Sequence, residues 1–455
     1  MLLFFSCKKE TFITSADARL SVSADSIKFD TVFTTVGSIT QSFKIFNDND
    51  QKLLLSKVKL MGGPASFYKI NINGLATSEA DNIEIAANDS IYVFVTVNIN
   101  PNAANLPFII SDSILINYNS NDRFVQLQAY GQNAHFLNNQ VITTNTAWPN
   151  DLPYVILGGI QVDTGISLTI NQGCKIYLHA DAPFIVDGSL TVDGIKGNEV
   201  VFAGDRLDDP YKNFPGGWPG IYFRGTSKDN QLSFAIIKNA YQAVVVLDPS
   251  SNANPKLIMH QCIIDNAYDA GLLSINSSIQ ADNSLITNCG KNINIALGGD
   301  YTFTNCTVAA YSNNYLLHKL PVLIASNFAD QNGVTVTADM NAVFNNCIFW
   351  GDNGIIDDEV IISKQGTNPF NVLFDHTLYK ALADPSNTTL NAVIRNIDPV
   401  FDSIDISHNY YDFRITKNNT APGIDNGAAT GFLKDLDDNN RTAGLLPDLG
   451  CYEKQ

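Results

Sequence analysis

The chain has 455 residues, which at about 100–200 residues per domain suggests two to four domains and excludes a small disulfide-held scaffold. Hydrophobic residues make up 45% and charged residues 16%, below the usual charged share of about 25%, a balance that argues against a disordered chain. Twenty-eight Lys and Arg against 45 Asp and Glu give a formal charge of -17, and such a field repels phosphate backbones, so nucleic acid is not an expected partner.

The chain begins with a short apolar run that ends in a small residue and a cysteine, Met1-Leu2-Leu3-Phe4-Phe5-Ser6-Cys7-Lys8-Lys9-Glu10. This segment resembles the lipobox of bacterial lipoproteins, and the residues after the cysteine are typical of the Bacteroidetes lineage. The resemblance implies cleavage before Cys7 and covalent acylation of Cys7, with chains such as palmitate that hold a protein durably in a bilayer. Apart from this lipid, no cofactor is expected.

Six residues precede Cys7, whereas secretory signals have about 15–30, so we expect a misplaced or trimmed start. The alternative is a chance cysteine in an ordinary N-terminal segment. No other window reaches 18 uninterrupted apolar residues, and a membrane-spanning helix is therefore not predicted. Residues 1–17 are interpreted as a signal remnant and tether.

Residues 18–135 alternate apolar and polar side chains, the period of half-buried strands. About seven short strands separated by turn residues are typical of an Ig-like β-sandwich. The predicted strands cover Ser26–Val32, Gln41–Phe46, Lys52–Val58, Ile91–Asn98, Ser113–Tyr118 and Arg123–Tyr130. Their order, with a turn at Gly37, resembles the Ig-like domains of the abnormal-spindle and choice-of-anchor type, which implies a stalk or a docking module.

Residues 140–420 change to short apolar strands separated by Gly, Asn and Asp, at intervals too short for crossover helices. Parallel pairing of each turn of a coil with the next, at about 4.8 Å per step, buries such strands economically. A phrase of Asn and Cys recurs around Cys262, Cys289, Cys306 and Cys347. This repetition predicts a β-solenoid in which corner asparagines bond to each other and the thiols, sharing one environment, point inward. A two-layered antiparallel sandwich is the alternative.

This region resembles right-handed parallel β-helix proteins, including secreted Bacteroidetes proteins. The residues that carry the resemblance are Val-Asp-Gly-Ser-Leu-Thr-Val-Asp-Gly at 186–194, Val-Val-Phe-Ala-Gly at 200–204 and Gly-Gly-Trp-Pro-Gly-Ile-Tyr-Phe-Arg-Gly at 216–225. Residues 421–455, with the preceding Tyr411–Ile415, are similar to the choice-of-anchor Q segment, which implies a C-terminal cap over the last edge of the solenoid. The predicted fold is therefore all-β, an Ig-like sandwich followed by a right-handed parallel β-helix.

No catalytic or metal-binding motif is predicted. The six histidines are never within five residues of each other, and Cys-x-x-Cys pairs are absent. Asp435, Asp437 and Asn439 mimic the start of a calcium loop, but Asn440 replaces its glycine and the terminal Glu is missing, so an Asx-rich turn is favoured. Export permits disulfides among the six other cysteines, although packed thiols are favoured.

The long insertion from Gly204 to Gly220 is the best candidate interaction surface. Its charged and aromatic residues are suited to contact a sugar or a protein, unless the aromatic rings fold back over the coil. The candidate residues are Asp205, Arg206, Asp208, Asp209, Tyr211, Phe214 and Trp218.

The anchoring and architectural patterns favour a non-catalytic lipoprotein on the outer membrane, facing the cell exterior. We expect it to act as a structural or interaction scaffold, with an outer-membrane protein as partner and a glycan as a further ligand. The alternatives are a carbohydrate-active β-helix protein, either a polysaccharide lyase, a hydrolase or a glycan binder, and an adhesin. Parallel β-helices often carry such enzymes, whose acid and base are either carboxylates or Lys and Arg beside bound calcium, on one face of neighbouring turns.

Overall fold

The computed structural model describes residues 11–33, 37–99, 108–417 and 419–455, so Cys7 and its predicted lipid lie outside the described residues. The protein is all-β, with 52% strand and 1% helix. It divides into two units, residues 1–134 and residues 135–455. Among the described helices, none has the length and apolar character needed to cross a membrane.

The first unit is built from two five-stranded sheets. Its elements are β1 (Leu20–Val22), β2 (Ser26–Phe33), β3 (Gln41–Asn47), β4 (Leu53–Leu60), a 3₁₀ turn (Gly63–Ala65), β5 (Tyr68–Ile72), β6 (Leu75–Ala76), β7 (Glu79–Ile85), β8 (Ser90–Val97), β9 (Phe108–Tyr118) and β10 (Asn121–Gln132). One sheet has the order β1-β3-β8-β5-β6 and the other β2-β10-β9-β4-β7. Strands β2 and β10 pair in parallel, and the other pairs are antiparallel.

A single apolar core joins the two sheets. Strand β8 illustrates how each strand contributes one face to this core, because Ile91, Val93 and Val95 are buried, whereas Tyr92 and Phe94 between them are exposed. This alternation follows from the two-residue period of a strand. The strands predicted from the sequence are present, and the assignment to the Ig-like family stays a prediction.

The second unit contains 30 strands within the described residues. Its first half comprises β11 (His135–Ile142), β12 (Thr146–Trp148), β13 (Tyr154–Val162), β14 (Ser167–Asn171), β15 (Lys175–Leu178), β16 (Phe184–Val186), β17 (Ser189–Asp193), β18 (Val200–Gly204), a 3₁₀ turn (Tyr211–Asn213), β19 (Ile221–Phe223), β20 (Asn230–Ser233), β21 (Ala235–Lys238), β22 (Gln242–Leu247), β23 (Leu257–His260), β24 (Ile263–Asp265) and β25 (Ala270–Asp282).

The second half comprises β26 (Leu285–Thr287), β27 (Lys291–Thr304), β28 (Thr307–Tyr311), β29 (Leu323–Ser326), β30 (Phe328–Gln331), β31 (Val334–Thr337), β32 (Met340–Asn345), β33 (Ile348–Asp352), β34 (Val360–Ser363), β35 (Phe370–Asp375), β36 (Leu378–Tyr379), β37 (Thr389–Asn391), β38 (Ile394–Arg395), β39 (Ser403–Asp405) and β40 (Tyr410–Asp412). In the described part of the unit, 26 of these strands form one sheet, and its pairings between successive turns are parallel.

The large sheet winds as a three-faced coil. Face A contains the first halves of β11 and β13 together with β15, β18, β21, β24, β26, β28, β33, β36 and β38. Face B contains the second halves of β11 and β13, then β16, β19 and β22, the first halves of β25 and β27, and finally β29 and β34. Face C contains β12, β14, β17, β20 and β23, the second halves of β25 and β27, and finally β32, β35 and β37. The predicted solenoid is confirmed, and the antiparallel sandwich is excluded here. Its predicted right-handed sense stays a prediction.

Asparagines occupy the corners of the coil in the left-handed backbone conformation. The corner between faces A and B contains Asn239 and Asn266, with φ of 61° and 57°. The corner between faces C and A contains Asn305 and Asn346, with φ of 53° and 52°. Asparagine tolerates this conformation better than most residues. Asn266 donates to Asn239 Oδ1 at 2.8 Å and Asn346 to Asn305 Oδ1 at 2.9 Å, which confirms the predicted contacts between corner asparagines.

The six cysteines from Cys174 onward are buried free thiols. Cys262 and Cys347 lie at the C–A corner, and each Sγ donates to a carbonyl of the turn before, Leu232 O at 3.3 Å and Phe303 O at 3.5 Å. The expectation that Cys289 shares this environment is wrong. It follows Asn288 at the A–B corner, because the same Asn-Cys phrase occurs at two different corners of the coil.

The C-terminal segment, residues 396–417 and 419–455, lies along face A and not over the end of the coil. Its apolar residues pack on the outward side chains of face A, including Leu285, Ile348 and Leu378. Gly450 N donates to Asn346 O at 2.7 Å, and Lys196 bonds to Asp437 at 2.7 Å. The expectation of a terminal cap is therefore corrected: outward apolar residues on several turns of face A require cover, and this segment supplies it.

A buried arginine holds the C-terminal segment on the coil. Arg441 is 1% exposed, and its Nε donates to Asn283 Oδ1 at 2.7 Å. Its guanidinium also donates to Gly450 O at 2.8 Å and lies 3.5 Å from Glu453 Oε2. Nearby, Asp435 Oδ1 accepts hydrogen bonds from the backbone of Asp437 and Asn439, at 2.9 and 2.7 Å, as expected of an Asx-rich turn.

We expect the stability of the second unit to fall as the pH rises from about 5 to 8. Burial raises the pKa of Glu453 from 4.5 to about 7, against the hydrogen bond from the Asp448 backbone and the charge of Arg441, which both lower it. At a pH between 4.5 and about 7, Glu453 binds a proton in the folded state but not in the unfolded state. The free energy of unfolding therefore decreases as the pH rises across this range, by up to about 3 kcal/mol. Burial raises the pKa of Asp435 in the same direction.

Urea denaturation at pH 5 and pH 8 measures this effect. The three tryptophans, Trp148, Trp218 and Trp350, all lie in the second unit, so their fluorescence reports on it selectively. The Glu453→Gln variant serves as the control and is expected to show a weaker pH dependence. A wild-type free energy of unfolding that is constant or rises between the two pH values contradicts the account.

Candidate functional site: a polar cleft at the A–B corner

The predicted insertion leaves the coil between β18 and β19, at the A–B corner, and its carboxylates are paired inside the loop or with the coil. Asp205 is hydrogen-bonded to His179 Nδ1 at 2.8 Å, and burial raises the pKa of Asp205 against the influence of this histidine. Asp209 forms an exposed ion pair with Lys212 at 2.9 Å. These pairings do not bring two carboxylates together as an acid and a base.

Arg206 fixes the start of the insertion. It donates two hydrogen bonds to Asp208, at 2.7 and 2.9 Å, and these hold the pKa of Asp208 below its usual value. The guanidinium also lies 3.9 Å from the centre of the Tyr211 ring. Tyr211, 44% exposed, contacts Phe214 edge to face, with the ring centres 5.1 Å apart.

Trp218 does not belong to the predicted surface. It is fully buried in the coil, and its Nε1 donates to Lys238 O at 2.9 Å. The indole is the largest side chain of the insertion. In the interior its apolar area is buried and its N–H has a hydrogen-bond acceptor. Phe214, by contrast, contacts Tyr315 of a second insertion edge to face, with the ring centres 4.9 Å apart.

Beside these aromatic contacts, the structure forms a polar cleft of about 120 Å³, the corner cleft. Four parts of the chain contribute to it: the first insertion, the ends of face A with their corner, the second insertion (residues 312–322) and the C-terminal segment. Its lining residues are Asn213, Lys238, Asn239, Asp265, Asn266, Asn288, Asn313, Tyr315, Asn409 and Tyr411.

A carboxyl and an ammonium group form the floor of the corner cleft. Lys238 and Asp265 are register partners on successive turns of face A, and Asp265 is the partner of Thr287 on the next turn. Thr287 Oγ1 donates to Asp265 Oδ1 at 3.0 Å. Burial raises the pKa of Asp265, while the Thr287 hydrogen bond and the charge of Lys238 oppose the shift. The Asp265 carboxyl is therefore enclosed and lies next to the Lys238 ammonium group.

The corner asparagines hold the first insertion in place. Asn239 Nδ2 donates to Lys212 O at 2.7 Å, and Asn266 Nδ2 donates to Asn213 O at 2.9 Å. The side-chain contact between the two asparagines links these bonds across successive turns. Backbone positions of the insertion are thus fixed by side chains of the coil, and the cleft is preformed.

The second insertion and the C-terminal segment complete the opposite wall. Asn313 Nδ2 lies 3.4 Å from Asn266 Oδ1, and the backbone N of Asn314 lies 3.4 Å from Asn409 Oδ1. Tyr411 OH lies 3.5 Å from Ser312 O. These long contacts are weaker than those of the first insertion.

An exposed pair of tyrosines lies at the same corner, on successive turns. The Tyr241 and Tyr268 rings are stacked with their centres 5.6 Å apart, and the residues are 46% and 53% exposed. A Cβ added at Gly216 of the first insertion would lie 3.4 Å from the Tyr268 Cβ, so the insertion passes close to this pair.

Sequence reasoning missed the floor of the corner cleft. It identified the first insertion and the phrases around Asn266 and Asn288, but not Asp265 or Lys238 as site residues. The available signal was the polar residue that ends β21, β24 and β26 directly before a corner asparagine. Only the register shows that two of these residues adjoin.

The chemistry of the corner cleft is that of hydrogen bonding. Asp265 supplies the single carboxyl group of the lining, and glycoside hydrolysis by the common mechanism requires two. Among the described residues, no group of three or more His, Cys, Asp or Glu is placed to hold a metal ion. Amide, hydroxyl, ammonium and carboxyl groups around a small cavity are suited to bind a molecule with several hydroxyls.

No family model and no curated protein matches the chain. Solved structures to which it is similar include a family 123 glycoside hydrolase from Clostridium perfringens, at 10% identity and a TM-score of 0.19, over 27% of this chain and 30% of the hydrolase. The match thus spans about a third of that hydrolase. The human CEP192 ASH/PapD-like domain has 13% identity and a TM-score of 0.18, over 29% of this chain and 96% of that domain.

The catalytic unit of a family 87 α-1,3-glucanase from Streptomyces thermodiastaticus is similar over 81% of this chain and 91% of the glucanase, at 10% identity and a TM-score of 0.22. The neighbours include glycoside hydrolases with β-rich folds, and the chain is assigned to no family by them.

Proposed function

We propose that this protein is a non-catalytic glycan-binding lipoprotein, displayed on the outer membrane by a lipid on Cys7, and that its corner cleft binds a single sugar unit. The observation that supports this proposal is the convergence of four separate parts of the chain on one small polar cavity. Its lining offers amide, hydroxyl, ammonium and carboxyl groups together with two tyrosines.

Each group of the corner cleft has a counterpart on a sugar. The Asp265 carboxyl accepts hydrogen bonds from hydroxyls, and the Lys238 ammonium donates to a hydroxyl or ring oxygen. Side-chain amides do both. The ring of Tyr315 supplies an apolar face for the C–H groups of the sugar. At about 120 Å³, the cleft suits one sugar unit better than a chain.

The proposal excludes hydrolysis at the corner cleft, because Asp265 has no second carboxyl partner in the lining. A hydrolysis or lyase reaction that disappears in the Asp208→Ala or Asp209→Ala variant would overturn this non-catalytic assignment.

A protein partner in the outer membrane is a second candidate role, and one observation favours it. Leu433, Leu445 and Leu446 of the C-terminal segment are 69%, 92% and 51% exposed. Contiguous exposed apolar groups mark interaction surfaces, and Leu445 and Leu446 are consecutive in the chain. Crosslinking in intact cells tests this role, and it fails if substitution of the three leucines by serine leaves the crosslinked proteins unchanged.

We expect the Asp265→Asn variant to bind its sugar about tenfold more weakly than the wild type. The substitution keeps the shape and removes the charge, and a hydrogen bond to a charged group contributes about 1.5–3 kcal/mol. Saturation-transfer NMR with a panel of mono- and disaccharides measures the affinity. Asp209→Asn in the exposed part of the first insertion is the matched control and is expected to bind normally. The proposal is wrong if no sugar of the panel binds the wild type, or if both variants bind equally.

A further inference from the structure

A second and larger cavity lies at the corner between faces B and C, away from the corner cleft. This axial groove has a volume of about 480 Å³. Its floor comes from the second halves of β25 and β27 and from β32, which are on successive turns of the coil. A cavity of this size lies in the range of ligand-binding clefts.

The floor repeats polar side chains along the axis of the coil. Ser278, Asp300 and Asn341 are register partners on three successive turns, and each points outward from face C. Gln280 and Thr302 form a second column beside them. Neighbouring strands are about 4.8 Å apart, so hydrogen-bonding groups recur at that interval along the groove. An extended chain of sugar units presents hydroxyls at a similar repeat.

Hydrogen bonds hold one wall of the axial groove, the loop 248–256, in place. Asn252 and Asn254 of the loop 248–256 donate to Asp229 Oδ1 at 2.9 and 2.8 Å. Lys256 is fully buried, and its ammonium group donates to Leu247 O at 2.7 Å. The wall therefore holds its shape before any ligand arrives, which lowers the entropy cost of binding.

The opposite wall adds a further polar group. Asp339 Oδ1 accepts a hydrogen bond from Asn368 at 2.8 Å. Ser277 also lines the groove but is only 2% exposed, so the outward Ser278 beside it supplies the accessible hydroxyl of this strand.

The charge of the axial groove selects the class of ligand. Its lining holds two carboxylates, Asp300 and Asp339, and no Lys, Arg or His. Anionic chains are repelled by this field, whereas uncharged hydroxyls donate to both carboxylates. The side chains of Gln280 and Asn341 offer both a donor and an acceptor.

We infer that the axial groove binds an uncharged, extended oligosaccharide that lies along several turns of the coil. This site goes beyond the proposed single-sugar cleft, shares no residue with it, and stands on its own geometry. The corner cleft would then bind a single sugar unit, and the axial groove would bind several consecutive units of a polysaccharide chain.

Affinity electrophoresis of the full chain tests the inference, with dextran, glucomannan, xylan or mixed-linkage β-glucan in the gel as neutral probes and polygalacturonate as the acidic probe. We expect at least one neutral polymer to retard the wild type, and polygalacturonate to leave its mobility unchanged. The double variant Asp300→Ala and Asn341→Ala is expected to bind at least about tenfold more weakly, since it loses hydrogen bonds to a charged and a neutral group.

Asn371→Ala is the matched control, because Asn371 is the exposed register partner of Asn341 one turn beyond the groove. It is expected to bind within about twofold of the wild type, a change of less than about 0.5 kcal/mol. The Asp265→Asn variant of the corner cleft is also expected to keep its retardation, which separates a failure of the cleft from a failure of the groove. The inference is overturned if no neutral polymer retards the wild type, if polygalacturonate is preferred, or if the double variant binds like Asn371→Ala.

Discussion

The Arg441→Ala variant is expected to lose about 3–5 kcal/mol of the free energy of unfolding of the second unit. The wild-type guanidinium is 1% exposed and lies between Asn283 of the coil and Glu453 of the C-terminal segment. Truncation leaves a cavity and removes a cation near Asp435. The charge of Arg441 lowers the pKa of Asp435, against burial, which raises it. The C-terminal segment is then expected to detach from face A.

Urea denaturation followed by tryptophan fluorescence measures the loss, because Trp350 packs in the cluster that joins the segment to face A. Limited proteolysis is expected to cleave the variant first within residues 396–455. Arg395→Ala is the matched control: this arginine is paired with Asp384 at 2.6 Å and its side chain is 41% exposed, so its loss is expected to cost less than about 1 kcal/mol. Equal denaturation midpoints for the two variants would contradict the assigned role of Arg441.

The Phe344→Ala variant is expected to lose about 3–5 kcal/mol. Phe344 is fully buried at the centre of an aromatic stack that runs along the inside of the coil. Its ring centre lies 5.6 Å from that of Phe303 and 4.9 Å from that of Phe374, which occupy the same position on the turns before and after. Removal of the ring leaves a cavity that the hydrogen-bonded strands on either side cannot close.

The change in the denaturation midpoint, at constant slope, measures this loss. Val343→Ala is the control, since Val343 precedes Phe344 on the same strand and points outward. Its expected cost is less than about 1 kcal/mol. A Phe344→Ala midpoint close to that of the control would mean that the stack does not stabilise the coil.

The fold was predictable from local patterns, because each short strand of the coil has its own recognisable pattern of apolar and polar residues. Alternation within each strand and the recurring Asn-Cys phrase indicated a coil and its inward thiols. The register was not predictable, because the turns differ in length. Ile170 and its partner Val192 are 22 residues apart, but Val192 and Leu232 are 40 residues apart, since the first insertion lies between them.

The candidate site depends on this register, and for that reason only one part of it was predicted. Asp265 adjoins Lys238 and Thr287 through pairing between turns, which spacing in the sequence does not reveal. The sequence alone leaves two interpretations of Trp218, a surface contact or a ring folded back over the coil, and the apolar area of the indole decides for the interior. The C-terminal segment is expected at the end of the coil because the last edge of a solenoid needs a cap. The outward leucine and isoleucine residues of face A also need cover, and the segment packs on them instead.

One measurement tests both whether the coil binds a glycan and whether it leaves that glycan intact. The immobilised protein is incubated with a fluorescently labelled neutral polysaccharide, and the bound and unbound fractions are then sized by gel filtration. We expect the polysaccharide to be retained and to be recovered at its original length. Recovery of shortened chains, or passage of every labelled polysaccharide without retention, would contradict it.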